Sequence, residues 1–327
     1  MKTLRFLPWL AALGLMLLVV RTAPLVEAWA ALRQLWWGQI GVLLVLNGLV
    51  LAALNGRWYL ILRGQGVMLP FFRVMGWRLA AFGVSYFTPG PQFGGEPAQV
   101  LLLERAGVAR QTAVASVSLD KSLELLVNFG FLLLAVTAVL QAGVLGGALG
   151  STAVWFVLAL LIWPALFLLA VGRGWRPLSR LMAFVPLWGW PAGWRKKYTA
   201  VYQAMGESEG EMTRLFGERP LALAAALFVS LLGWGLMILE FGLMFAFLGL
   251  PLTPIQLLAL LVAARLALLL PLPGGLGSLA ASLTFALEAM GVNPAYGVSA
   301  SVLIHLRDVL LGSFGLWWGS RCLRRGA

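Results

Sequence analysis

Along most of this chain apolar residues run on in long blocks instead of alternating with polar ones. Six blocks are close to the length that crosses a hydrocarbon core of about 30 Å at 1.5 Å per helical residue. They are Phe6–Val20, Trp37–Leu54, Thr112–Leu140, Thr152–Val171, Leu221–Leu250 and Ala295–Trp318. Two further regions are apolar but broken. Val67–Phe87 gives way to "TPGPQFGGEP" (Thr88–Pro97) before Ala98–Leu103, and Ile255–Leu270 gives way to "PLPGGLG" (Pro271–Gly277) before Ser278–Ala289. Proline and glycine stop helices, so each broken region predicts two short helices around an irregular turn.

Composition narrows the class. Of 327 residues 61% are hydrophobic and 11% charged, against about 25% charged in soluble domains. The pattern predicts an all-α integral membrane protein, 1–327 as one membrane domain. The 15 tryptophans suit a membrane interface. One cysteine (Cys322) excludes an internal disulfide, one histidine (His305) excludes a multi-histidine metal site, and no HExxH, P-loop or GxSxG run occurs. No cofactor is expected. The N-terminal stretch can be read as a signal peptide with Ala28–Ala30 as its cleavage site, or as an uncleaved first span, the reading adopted here.

The net charge of +12 does not point to nucleic acid, because the basic residues cluster at Arg173–Arg180, Arg195–Lys197, Arg214–Arg219 and Arg321–Arg325, on short flanks and one loop between apolar runs. That is the positive-inside pattern. It places both termini and the basic 173–219 segment in the cytoplasm, in a cell (inner) membrane. Within that segment "PLSRLMAFVPLW" is amphipathic and suits the inner membrane surface. Counting crossings leaves Arg57 and Arg63 on the inner side after the second span. The first broken region then starts and ends inside, and the second starts and ends outside. Both therefore read as re-entrant hairpins.

Sliding the sequence by 184 residues lays Pro89-Gly90 on Pro273-Gly274, Leu103-Glu104 on Leu287-Glu288 and Gly107-Val108 on Gly291-Val292. Val114, Leu119 and Leu126 meet Val298, Leu303 and Leu310, while Glu124 meets Asp308 and Lys121 meets His305. Shared composition explains matched leucines but not Pro-Gly, Glu and Gly-Val in one register. The halves, 1–141 and 150–320 joined by the 141–150 connection, are read as an inverted repeat. Irregular backbone at membrane depth must be buried in protein or line a wet cavity. Gly/Pro-broken segments at matching places in two halves mark a transporter's central site.

The candidate site residues follow from this placement. Glu96 caps the half-helix that begins near Pro97, or faces a cavity, or both. Asp120, Lys121 and Glu124 lie within one turn of an apolar span, opposite His305, Arg307 and Asp308 in the other half. Such residues either staple helices by internal ion pairs or line a polar path. Arg73, Arg78 and Arg265 lie in the first limbs of the hairpins. Arginine grips phosphate through paired hydrogen bonds, so Arg78 and Arg265 are assigned to a lipid phosphate and Arg73 to snorkelling. Glu240 is placed to pair with one of these arginines. The glycine turns supply free backbone N–H groups.

"TPGPQFGGEPAQVLLLERAGVARQTAVASVSLDKSLELL" resembles the first signature of the lysylphosphatidylglycerol synthase transmembrane (flippase-like domain) family, and "LPLPGGLGSLAASLTFALEAMGVNPAYGVSASVLIHLRD" resembles its second. The likeness spans nearly the whole chain. The matched positions are Gly94, Gly95, Glu96, Asp120, Pro273, Gly274, Gly275 and Gly277. This chain departs from the family at Ala280, where a glutamate is usual, and at Lys121, where arginine is usual. The resemblance implies flipping of anionic or aminoacylated phospholipids, with a partner lipid synthase as a candidate neighbour. Without a synthase domain, aminoacyl transfer and enzyme activity are not expected. Two other readings stay open: an intramembrane lipid-modifying enzyme, and a non-transporting scaffold for a partner lipid synthase.

Overall fold

The computed structural model describes residues 25–88, 94–143, 147–184, 192–270 and 272–324. The expected span Phe6–Val20, the centre of the first broken segment (Pro89–Phe93) and Pro271 lie outside the described residues, as does part of the 141–150 connection. The described residues form twelve α-helices and no strand. They are α1 Leu25–Arg33, α2 Trp37–Gly64, α3 Phe71–Phe87, α4 Glu96–Arg105, α5 Arg110–Gln141 and α6 Gly147–Gly172. These are followed by α7 Pro177–Ala183, α8 Ala192–Glu218, α9 Pro220–Phe247, α10 Pro254–Leu268, α11 Ser278–Ala289 and α12 Ala295–Arg324. Five are long and apolar enough to cross a membrane: α2, α5, most of α6, α9 and most of α12. With large apolar side chains such as Leu44, Leu134, Trp155 and Phe228 exposed on its outside, the chain is an all-α integral membrane protein.

The ends of the helices follow local chemistry. Thr253 opens α10 with a capping box: its backbone N–H donates to Gln256 Oε1 at 3.0 Å, its Oγ1 accepts from the Gln256 N–H at 3.4 Å, and Pro254 occupies the first turn. Pro97 and Pro220 sit likewise in the first turns of α4 and α9. The second broken segment is a 3-10 turn at Pro273–Gly275 leading to α11. There Gly274 and Gly277 have φ of +57° and +78°, a region that side-chain-bearing residues rarely occupy.

One difference from expectation concerns α2. The apolar block ends at Leu54, but the helix continues ten residues further to Gly64. Asn55 and Arg57 interrupt the apolar pattern without ending the helix, since both are buried and bonded by neighbouring elements. Arg57 is therefore a core residue, not the inner-face flank expected from its charge. A second difference concerns the 173–219 segment, which forms α7 and the 27-residue α8, with α8 packed against α5, α6 and α7. Its anchor is Glu209, fully buried, which accepts from the N–H of Leu178 at 2.7 Å, from the N–H of Ser179 at 3.1 Å and from Ser179 Oγ. Ala28 and Ala30 lie inside α1, and the Ala28 carbonyl accepts from Ser299 Oγ of α12 at 3.0 Å.

The main helix pairs are α2 with α9, α3 with α12, and α5 with both α6 and α10. Alpha-helices α3 and α4 pack on each other, as do α10 and α11. Small residues set the closest approach. A Cβ on Gly315 of α12 would lie 2.0 Å from the Leu79 carbonyl oxygen, and one on Gly83 of α3 would lie 2.4 Å from that of Gly312. In lipid, helices gain little from hiding apolar surface, so backbone contact through glycine is how two helices pack tightly. The turn at Gly274 also reaches the end of α3: a Cβ there would lie 2.7 Å from Tyr86 Cζ.

Gly315→Ala is expected to lower the thermal stability of the detergent-purified protein by about 1–3 kcal/mol or more, because a backbone atom cannot yield as a side chain can. Gly235→Ala, where a Cβ meets nothing within 4 Å, is expected to be neutral or slightly stabilising. Melting curves followed by fluorescence size-exclusion chromatography check both, and equal losses at the two positions would contradict this packing.

Candidate functional site

Between α2, α3, α4, α5, α9, α10 and α12 lies a cavity of about 370 Å³. Small-molecule sites of ~300–1,000 Å³ are usual. Its wall carries five basic residues (Arg57, Arg78, Lys121, Arg265, Arg307) and five acidic ones (Glu96, Asp120, Glu124, Glu240, Asp308). Charges in helices of this apolarity are expensive unless paired, so the pairing shows which are already satisfied.

The first group is centred on Arg57, whose side chain is 1% exposed. Its Nε and Nη2 grip Asp120 at 2.6 and 3.2 Å, Nη2 also donates to Glu124 Oε2 at 2.8 Å, and Nη1 donates to Ser230 Oγ of α9 at 3.2 Å. Arg78 donates to the same Asp120 from α3 and lies 5.8 Å from the Trp58 ring. Lys121 Nζ bonds Glu124 at 2.9 Å and lies 3.4 Å from Glu96 Oε1. The other Glu96 oxygen accepts from the Gly94 N–H at 2.8 Å. Glu96 therefore both begins α4 and faces the cavity.

The second group is centred on Arg307. It donates to Glu240 at 2.8 Å and to its neighbour Asp308 at 2.9 Å, while Glu240 also accepts from Asn47 Nδ2 of α2 at 3.2 Å. The crossing of α2 and α9 thus carries two hydrogen bonds, both donated by α2: Arg57 to Ser230 and Asn47 to Glu240. Arg265 differs from the other four cations. Its guanidinium lies 4.6 Å from the centre of the Trp234 ring and contacts Met237 Sδ, and among the described residues no carboxylate lies within ion-pair distance.

Of the residues singled out from sequence, Arg78, Gly95, Glu96, Asp120, Lys121, Glu124, Glu240, Arg265, Gly274, Arg307 and Asp308 all line this cavity. Several bonds differ from expectation. Glu240 pairs with Arg307 and not with Arg73, Arg78 or Arg265, and Arg78 is held by Asp120. His305 is outside the lining; its Nδ1 lies 2.7 Å from the Ser301 carbonyl oxygen on the same helix. Gly94, Gly275 and Gly277 shape the turns without lining the cavity, Pro273 opens the 3-10 turn, and Arg73 is exposed away from the cavity. Sequence reasoning missed Arg57 and Asn47, and also the Tyr86 hydroxyl, which is buried without a hydrogen-bond partner. The available signal was Asn47 and Arg57, two polar side chains about three turns apart on a largely apolar helix.

Comparison with known proteins agrees with the architecture. The family model of the lysylphosphatidylglycerol synthase TM region matches residues 6–314. The chain is 24% identical over 306 residues to a UPF0104 membrane protein of Methanothermobacter thermautotrophicus, covering 90% of this chain and 87% of that one. It is 25% identical over 260 residues to a UPF0104 membrane protein of Pyrococcus horikoshii, covering 76% of each. No solved structure matches the chain.

Arg57→Met leaves two carboxylates facing a buried gap and is expected to cost about 3–5 kcal/mol. Arg214→Ala breaks a half-exposed i,i+3 pair with Glu211 and is expected to cost at most about 1 kcal/mol. Thermal unfolding in detergent separates the two, and an Arg57→Met protein as stable as its parent would contradict the assigned network.

Proposed function

We propose a function from one premise: this chain belongs to the family of the lysylphosphatidylglycerol synthase TM region. The function is translocation of phospholipid headgroups between leaflets through the charged cavity. The observation that carries it is Arg265, a cation at the cavity wall with an aromatic ring and a thioether beside it and, among the described residues, no carboxylate within ion-pair distance. Four cations of the lining have protein counterions, so the fifth is left for an anion from outside the protein. A lipid phosphate supplies that anion, and guanidinium is the group best shaped to hold it. Arg78 does not share this role, because Asp120 already engages it.

An inverted repeat is part of the proposal, and the order of elements supports it. A 28-, 17-, 10- and 32-residue series (α2 to α5) is followed by a 28-, 15-, 12- and 30-residue series (α9 to α12). The pairs α3–α12 and α10–α5 exchange under that correspondence, and α2–α9 maps on itself. Counted from the first residues of α2 and α9, an offset of 183 and so one less than in the broken segments, Asn47 falls on Ser230 and Arg57 on Glu240, so the residue pairs of the two hydrogen bonds at this crossing also exchange. With α3–α4 and α10–α11 as re-entrant hairpins, the cavity becomes reachable from either side by relative motion of the halves.

Reconstitution into vesicles with a headgroup-labelled fluorescent phospholipid tests this. The wild-type chain is expected to move label across the bilayer faster than protein-free vesicles do. Arg265→Gln is expected to slow it roughly tenfold to a hundredfold, as loss of a charge-assisted hydrogen bond would. Flux equal in the variant and its parent, or absent from a folded parent, would sink the reading.

A further inference from the structure

A second cavity lies away from the first, between α7 and α8. It measures about 790 Å³ and is lined by Arg176, Arg180, Tyr202, Gln203 and Glu207 over the glycines 174, 206 and 210. Lack of side chains opens its floor: a Cβ at Gly206 or Gly210 would lie 3.9 Å from an Arg176 guanidinium nitrogen. The Glu209 carboxylate is unavailable to these arginines, because it is fully buried and committed to Leu178 and Ser179. Arg176 has no protein counterion among the described residues, and Arg180 has only the Trp175 ring, 5.9 Å from its guanidinium. With the exposed Glu207 carboxylate on the same wall, the described residues of the groove carry one net positive charge.

We propose that this groove binds the phosphodiester of a membrane phospholipid, gripped by Arg176 and Arg180. A single net positive charge matches a phosphodiester better than a phosphate monoester, which brings close to two negative charges. Glu207, Tyr202 and Gln203 supply hydrogen-bonding groups for the hydroxyls of a polar headgroup. The source is a bilayer lipid and not a soluble phosphate compound, because exposed apolar side chains adjoin the lining residues: Trp175, Leu181 and Phe184. Aromatic and apolar residues beside arginine are what a membrane–water interface selects. The site stands apart from the central cavity and does not require transport.

The test uses the full chain in phosphatidylglycerol vesicles, with a photoreactive benzoylphenylalanine in place of Ala183, a lining residue with no part in the grip. Light is expected to attach the lipid there. Arg176→Gln with Arg180→Gln is expected to cut that yield about tenfold. Gly206→Leu, which fills the floor without touching the charges, is expected to do the same. An unchanged yield in both variants overturns the proposal. Glycerophosphoglycerol, the same headgroup without chains, is added in a second arm. Failure to displace the lipid at equal concentration supports a bilayer source, and full displacement overturns it. A lipid attachment that survives Arg265→Gln, in a protein with or without flux, keeps this site separate from the central one.

Discussion

The structure depends on where the Arg57 guanidinium is held. An arginine with 1% of its side chain exposed, inside helices this apolar, persists only if carboxylates meet it from another element. Asp120 and Glu124 do so from α5, and Ser230 completes the set from α9. One side chain thus joins three long helices whose apolar surfaces give them little preference for one another over lipid. Glu240 does the converse on α9, joining Asn47 of α2 to Arg307 of α12. Polar contacts fix which helices are neighbours; glycine contacts fix how closely α3 and α12 lie.

The same pairing decides what the cavity can offer a ligand. Asp120 is nearly sealed, with both its oxygens occupied by two arginines, so its role is to hold Arg57 and Arg78 in place. Glu96, Lys121 and Glu124 are more open and form a chain of alternating charge. Arg265, resting on Trp234, is the lining cation that no carboxylate of the described residues touches. A site with all of these on helices, and not on loops, holds them in fixed relation.

Much of this was legible in the order of residues. Uninterrupted apolar blocks located α5, α6, α9 and α12 to within a few residues, and the glycine–proline segments located the breaks. The charges of the spans pointed to the cavity, because a charged residue inside an apolar block has few places to go except a polar interior. Arg57 escaped for a definable reason. It lies just beyond the last uninterrupted apolar stretch of α2, so it reads as a flank, and only partners 63 and 67 residues away make it interior. Glu240 was placed correctly but given the wrong arginine, since charge alone does not say which of several cations lies within reach. The α7–α8 segment read as a surface loop because its polarity hid Glu209, one buried carboxylate that organises the helices around it.

The seam between α3 and α12 carries a mechanical consequence. Where Gly315 lies against the Leu79 carbonyl and Gly83 against that of Gly312, no compliant side chain remains to absorb a shift. The two helices must travel as one beam. Because Tyr86 at the end of α3 abuts the turn at Gly274, a displacement of that beam is delivered directly to the joint between α10 and α11.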